Sequence, residues 1–415
     1  MRCVTNPDWM LNPDGALGGN PLFNLLYSAL AHILPCWVSF LVAGLVIMLI
    51  LINAVLLGAA IVSWGERRLL GRFQNRIGPN RWGPFGALQP IADLAKLITK
   101  EDIIPYGADR LAFTAVPVIM VAAALLATAV LPFAKDVALV DLNVGVLFVL
   151  AVSSLTSIAV FTAGWASNNR YALFGAGRAV AVLLSYEIPV VLSLLGVVLV
   201  AGSMSLGDIV TAQAVPFFLV QPLAFFVFVA GMSAELNRTP FDVAEAESEI
   251  IAGYHTEYSG IKFALIQAAE FGGVLVVSGL IATLFLAGWA GPVADWLGWL
   301  WFLIKTFIGI FLFVWIRSTY PRLRLDQIMA VCWKFLMPLS MINLAAVVLE
   351  VFFLRDANGV LTTADLWIMA GINIVLAAVS IAFFGRLIRE KVRTGLPVTP
   401  ASQPLVRGVP TIEVN

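Results

Sequence analysis

The feature that most limits how this chain folds is a succession of apolar runs, each about as long as a bilayer is thick. About 20 apolar residues in α-helical form cross the roughly 30 Å hydrocarbon core. Nine runs meet that length, at about 33 to 62, 111 to 134, 143 to 166, 179 to 201, 215 to 234, 260 to 288, 297 to 316, 335 to 354 and 365 to 385. A backbone in lipid must satisfy its own N–H and C=O groups, which makes such runs helices. The expected fold is all-α: a polytopic integral membrane protein with about nine transmembrane helices. Composition agrees, because 60% of the 415 residues are hydrophobic and only 12% are charged, an apolar share beyond that of soluble domains.

With a net charge of zero, charge matters here through its placement and not as a global field, and nothing in it argues for nucleic acid. The first connection carries Arg67, Arg68, Arg72, Arg76, Arg81, Lys96, Lys100 and Arg110, whereas the second offers Lys135. Arg170 and Arg178 mark the third, Arg238 the fifth, and Arg317, Arg322, Arg324 and Lys334 the seventh. By the positive-inside rule the odd connections and the C-terminus face the cytoplasm and the N-terminus lies outside. The organisation expected is an extracytoplasmic segment 1–32, a helical domain 33–385 and a cytoplasmic tail 386–415, with cytoplasmic loops 63–110, 167–178, 235–259 and 317–334. The first residues lack the pattern of a cleaved secretory signal, so the first span is expected to direct insertion. Cys3, Cys36 and Cys332 are far apart and form no metal- or cluster-binding spacing.

Within the first connection, Gly78, Pro79, Asn80, Gly83 and Pro84 forbid a regular helix. After Pro90, Ile91, Leu94, Ala95 and Ile98 recur at helical spacing while Asp93, Lys96, Lys100 and Glu101 fall elsewhere, which predicts a short amphipathic helix on the membrane surface. The arginines here anchor topology, and a further role in docking a partner or binding a headgroup stays open.

Four ionisable residues fall within or at the ends of spans: Glu187, Glu235, Glu270 and Lys305. A charge at the bilayer centre costs about 2.5–3.5 kcal/mol on insertion scales, so such residues usually face the bundle interior and mark ion or proton paths. The competing reading is a structural hydrogen-bonding group. Between the fifth and sixth spans, AELNRTPFDVAEAESEIIAGYHTEYSG gathers Glu235, Asp242, Glu245, Glu247, Glu249 and Glu257. A solvated loop tolerates such a cluster. With Glu235 and Glu270 at its two ends, it also reads as a line of carboxyls leading from a cytoplasmic-side cavity into the bilayer.

Four segments, ERRLLGRFQNRIGPNRWGPFGALQPIADLAKL, GWASNNRYALFGAGRAVAVLLSYEIP, AELNRTPFDVAEAESEIIAGYHTEYSG and IRSTYPRLRLDQIMAVCWKFLMPLS, occur in order between about 60 and 340. They resemble the H-subunit family of the bacterial proton-translocating NADH-quinone oxidoreductase, a membrane component of respiratory complex I whose mitochondrial counterpart is NADH dehydrogenase subunit 1. The resemblance implies a subunit that binds no cofactor itself. It joins peripheral-arm quinone-site subunits, which with their neighbours carry FMN and iron-sulfur clusters, to antiporter-like subunits of the membrane arm, with ubiquinone as substrate. It implies residence in the bacterial inner membrane, among phospholipids. Carried over motif by motif, Arg67, Arg72, Arg76, Asp93, Phe263, Arg317, Arg322 and Arg324 are expected along the quinone passage or docking surface. Glu187, Glu235, Glu245, Glu247, Glu249, Glu257 and Glu270 are expected to form an acidic proton path, to which the intramembrane Lys305 is added. One departure is visible: relatives commonly follow the sixth-span carboxylate with Tyr, and here Phe271 stands there.

Two other readings compete. A membrane anchor of a proton-pumping hydrogenase or formate hydrogenlyase resembles this chain without having to take quinone. An independent cation transporter accounts for buried carboxylates, but inverted repeats and paired broken helices are not legible in this sequence.

Overall fold

A computed structural model describes residues 21–31, 35–135, 137–243, 252–291, 297–355 and 361–393. These residues form a helical bundle in which eight helices are long and apolar enough to cross a membrane. A short helix α1 (Pro21–Ala31) packs on α2 (Cys36–Phe73), with Phe23 buried edge-on against Phe40. At 38 residues α2 is about 57 Å long, nearly twice the hydrocarbon thickness. It therefore runs past its apolar stretch and carries Glu66, Arg67, Arg68 and Arg72 on its last turns. The turn-rich stretch follows as expected, and α3 (Gln89–Thr99) is the amphipathic helix that the spacing predicts. Its Ile91, Leu94 and Ile98 stay exposed, as suits a face laid on lipid or a partner.

Next come α4 (Arg110–Ala129), capped by the Asp109 side chain, then α5 (Gly145–Ala166) and α6 (Arg170–Ala201), capped by Asn169. Between α4 and α5 lies a minimal antiparallel ribbon, β1 (Pro132–Ala134) with β2 (Val137–Ala138), which the apolar pattern does not announce. Helices α5 and α6 meet closely at Gly164, where a methyl group would sit 2.4 Å from the Ala176 Cβ.

The fifth expected span is shorter than its apolar run. Residues 215 to 234 resolve into α7 (Leu206–Ala212) just before, α8 (Phe217–Val220) and α9 (Pro222–Glu235). The cause is Gln221-Pro222: proline lacks the N–H that would continue the ladder and forces the residue before it out of the helical region, here to φ −133 and ψ 67. At 14 residues α9 is about 21 Å long, short of a bilayer.

Helices α10 (Gly260–Phe285), α11 (Gly298–Thr319), α12 (Leu325–Leu354) and α13 (Thr363–Arg393) complete the bundle. Helix α12 begins earlier than the expected 335 because its charged first turns are helical too, and it holds a π-helical turn over Cys332–Leu336 just before Pro338, where a missing N–H loosens the ladder. Helix α13 continues into the segment read as the start of the tail. The largest apolar core is shared by α4, α5, α6, α8, α9, α10 and α12, around Val197, Phe217, Phe228 and Phe285.

Candidate functional site

At the end of the bundle that carries the basic residues, helix lengths decide which charges meet. Because α2 extends beyond its apolar stretch, Glu66 is buried inside the bundle at 3% exposure, and it pairs with both Arg238 and Arg317. Arg238 is itself buried and lies over the Phe271 ring, 5.3 Å from its centroid. Thus Phe271, the residue after the sixth-span carboxylate, supplies an aromatic face to a buried guanidinium. Next to Glu66 on α2, Arg67 grips Asp93 of α3 at 2.5 Å, with Lys96 at 3.7 Å and Gln89 at 3.3 Å beside it. Burial pulls the Asp93 pKa upward, but the hydrogen bond and charge of Arg67, joined by Gln89 and Lys96, together hold it below the usual carboxylate value. Arg322 reaches Asp242 at 2.6 Å. Arg72, Arg76 and Arg324 are exposed, and Arg76 donates to Gln74 at 2.7 Å.

Deeper in the bundle, three of the sequence-derived carboxyls line two adjoining cavities. The larger, about 110 Å³, lies among α4, α5, α9 and α10 and is lined by Glu235, Glu270, Tyr254, Asn237, Ser153 and Thr156 on otherwise apolar walls. The smaller, about 10 Å³, contains Glu187, Glu235, Ser153 and Ser157. Glu235 and Ser153 belong to both. Since one water needs roughly 10–15 Å³ of such space, the larger cavity accommodates several. Glu187 accepts from Ser154 at 2.5 Å, and Glu270 accepts from Tyr254 Oη at 2.7 Å and Gln267 at 3.3 Å. The arrangement is a row of carboxyls spaced by hydroxyls, the chemistry of a group-to-group proton relay.

His255 extends the row toward the basic end. Its ring lies edge-on to Tyr254 at 5.1 Å and 5.5 Å from Phe263, and burial lowers its pKa, against the opposing pull of Glu270 and Asp242. Tyr258 stacks on Phe113 at 4.1 Å, and burial raises its phenol pKa.

Other expected residues lie elsewhere. Glu257 accepts from Asn169 at 2.6 Å and lines a separate surface opening with Ser167 and Arg170. Lys305 sits at the far end of α10, donating to the carbonyls of Gly288 at 2.9 Å and Ala290 at 2.6 Å. This places it away from the carboxyl row. Glu245, Glu247 and Glu249 fall outside the described residues. The sequence reading missed Glu66, Arg238, Tyr254, His255 and Glu350 as buried polar groups. For Glu66 the sequence offers only a partial signal: no proline lies between it and the apolar run before it, although Gly65 does. Among the described residues no group of three His, Cys, Asp or Glu side chains could hold a metal ion.

Known proteins resemble this chain over most of its length. The family described as NADH dehydrogenase matches residues 46–348. The NADH-quinone oxidoreductase H subunit of Dehalococcoides mccartyi (strain CBDB1) is 51% identical over 348 residues, 84% of this chain and 96% of that protein. The H subunit of Geobacillus kaustophilus is 50% identical over 71% of this chain and 91% of its own. An H subunit of Geobacter sulfurreducens is 48% identical over 69% of this chain and 89% of its own. Identity at this level over nearly the whole of each relative, on a multi-span helical bundle, establishes that the chain belongs to the family of NADH-quinone oxidoreductase H subunits, membrane components of complex I.

Proposed function

We propose that this chain forms the membrane side of the quinone-binding cavity of its complex and couples quinone reduction to proton translocation through its row of carboxyls. The observation that carries the reading is the pair of adjoining cavities in which Glu187, Glu235 and Glu270 succeed one another with Glu235 common to both. Quinone reduction needs an apolar way in for an isoprenoid tail, polar groups for a headgroup, and protons. Helix α3, with its exposed apolar face, suits the first. The Arg67–Asp93 and Glu66–Arg238–Arg317 clusters suit the second, and the carboxyl row suits the third.

In this reading ubiquinone is the substrate, and FMN and iron-sulfur clusters belong to partner subunits. The basic end docks the peripheral-arm quinone-site subunits, while the bundle's flank meets the antiporter-like subunits. The domain 33–385 sits in the bacterial inner membrane with loops 63–110, 167–178, 235–259 and 317–334 and the tail 386–415 in the cytoplasm, and segment 1–32 outside. Arg72, Arg76, Phe263, Arg322 and Arg324 line or flank the quinone passage, and Glu245, Glu247, Glu249 and Glu257 lead into the row. Lys305, held by carbonyls just past the end of α10, is the further ionisable group of the proposed path.

Glu235→Gln and Glu270→Gln test the reading, because Gln keeps the volume and most hydrogen bonds yet releases no proton near neutral pH. In fully assembled complex both substitutions are expected to lower NADH-quinone activity and proton pumping together, while electron transfer from NADH to an artificial acceptor that bypasses quinone persists. Normal quinone turnover with normal pumping in both variants would remove the proposal.

A further inference from the structure

The strongest unexplained feature lies beyond the family match, where α13 packs against α12, α8 and α9. Glu350 of α12 and Asn373 of α13 meet there in the apolar interior, at 7% and 0% exposure. Asn373 Nδ2 donates to Glu350 Oε2 at 2.8 Å. The remaining oxygen of each group, Glu350 Oε1 and Asn373 Oδ1, is buried and has no hydrogen-bond partner among the described residues. Both are acceptors, and two acceptors cannot satisfy one another.

A neighbouring pair in the same interface shows the difference. Gln221 and Asn343, both fully buried, converge on the bare face of Gly196: a Cβ built there would lie 3.0 Å from Gln221 Oε1 and 3.5 Å from Asn343 Nδ2. Of the three unpartnered atoms there, Asn343 Nδ2 is a donor on the same side as Gln221 Oε1, while Asn343 Oδ1 is an acceptor left over. The Glu350–Asn373 pair has two orphaned acceptors and no orphaned donor, so it needs an added hydrogen. An ionised carboxylate in this setting would also have to be kept in the membrane interior with a single amide donor. The charged groups nearest in sequence on the packed elements are Arg355 at the end of α12, over Gly202, and Asp365 at the start of α13, held by Thr362. Glu187 and Glu235, on α6 and α9, belong to the carboxyl row. None of these is hydrogen-bonded to Glu350.

We infer that Glu350 is a second proton-binding site, separate from the carboxyl row, in which a neutral carboxylic acid and the Asn373 amide form a reciprocal pair that fastens α13 to the bundle. Asn373 Nδ2–H donates to Glu350 Oε2, and the proton on Glu350 Oε1 donates to Asn373 Oδ1. One proton satisfies both orphaned oxygens and leaves no charge in the apolar interior. The pair stands whether or not the carboxyl row serves quinone reduction.

Infrared spectroscopy of the intact purified complex tests it, comparing the wild type with Glu350→Gln and Asn373→Leu. Gln can exchange the same two hydrogen bonds with Asn373, so Glu350→Gln is expected to assemble like the wild type. The difference spectrum of wild type minus Glu350→Gln at neutral pH should contain the C=O stretch of a protonated carboxylic acid, sensitive to deuteration. In Asn373→Leu that band should move to the position of a more weakly hydrogen-bonded acid. Absence of a protonated-acid band lost with Glu350 overturns the proposal in favour of an ionised carboxylate bridged by water, and a band unmoved by Asn373→Leu overturns the pairing. Should Glu350→Gln fail to assemble, the wild type minus Asn373→Leu spectrum decides alone: a shifted acid band supports the pair, and no change in that region refutes it.

Discussion

Glu66→Gln removes one negative charge from between two guanidinium groups while keeping the shape of the side chain, and the structure sets how much that costs. Glu66 is 3% exposed and Arg238 8%, so their pair is shielded from water on both sides, whereas Arg317 is 35% exposed. Removing one partner of a buried ion pair costs about 3–5 kcal/mol, chiefly because the other charge is left behind without compensation. Arg238 would keep the face of Phe271 at 5.3 Å, a contact worth about 0.5–2 kcal/mol that cannot replace a carboxylate. Arg317 can turn toward solvent, and its share is that of a screened pair, about 0.2–1 kcal/mol. The order of damage expected is therefore Glu66→Gln, then Arg238→Met, then Arg317→Met. The first lowers the native population of this corner by roughly a hundredfold or more, the last by less than about tenfold. Residual NADH-quinone activity after heating the solubilised complex, together with the amount of complex assembled in membranes, reads the order. Equal shifts for Arg238→Met and Arg317→Met, or none for Glu66→Gln, would refute the reasoning from burial.

Arg67→Met should loosen α3 by no more than about 1 kcal/mol, since the Arg67–Asp93 pair is partly exposed, and hydrogen exchange over residues 89–99 should rise at most about fivefold at neutral pH. Because the folded pKa of Asp93 is depressed below the ordinary value of 3.8, its stabilisation is fully present above that value and fades as pH falls through the lower folded pKa. The difference between wild type and variant should therefore be constant near neutrality and shrink only in strong acid; a difference that disappears between pH 7 and about 5 contradicts the assignment. Gly164→Ala should lower heat stability by about 1–3 kcal/mol, because the new methyl meets Ala176 Cβ at 2.4 Å and the Ala172 carbonyl at 2.6 Å. Gly177→Ala, with nothing within 4 Å of its new methyl, is the matched control and should leave it unchanged or slightly raised.

The parts of this fold that were legible are those fixed by one-dimensional physics. Span positions follow from run length, and α3 follows from its spacing. The row Glu187, Glu235 and Glu270 follows from charge placed where it is costly. What was hidden depends on partners far away in sequence. Glu66 stands in a basic stretch and reads as a surface charge until it is placed beside Arg238 and Arg317, 172 and 251 residues away. The shortness of α9 was written in Gln221-Pro222, but a window of mean hydropathy averages one polar residue and one proline into an apolar run. Lys305 was legible as a charge inside a span, but its partners, the carbonyls of Ala287, Gly288 and Ala290 in the turn after α10, were not.

The break before α9 also explains how a carboxyl comes to lie at depth. At about 21 Å, α9 is too short to cross the hydrocarbon, and its last residue, Glu235, lines the cavity inside the bundle. The chain must then continue through protein and not through lipid, since irregular backbone at that depth survives only where it is enclosed. The described residues on either side of the acidic stretch meet that condition: Arg238, Phe241, Asp242 and Val243 are buried after Glu235, and Tyr254 and Tyr258 before α10. Tyr254 and Phe241 pack into different parts of the same bundle, the first among Phe113, Ala163 and Ile266, the second against Tyr186. The acidic connection is therefore anchored inside the bundle at both ends. This is why its terminal carboxyls, Glu235 and Glu270, share one cavity although 35 residues, counted as 270 minus 235, separate them.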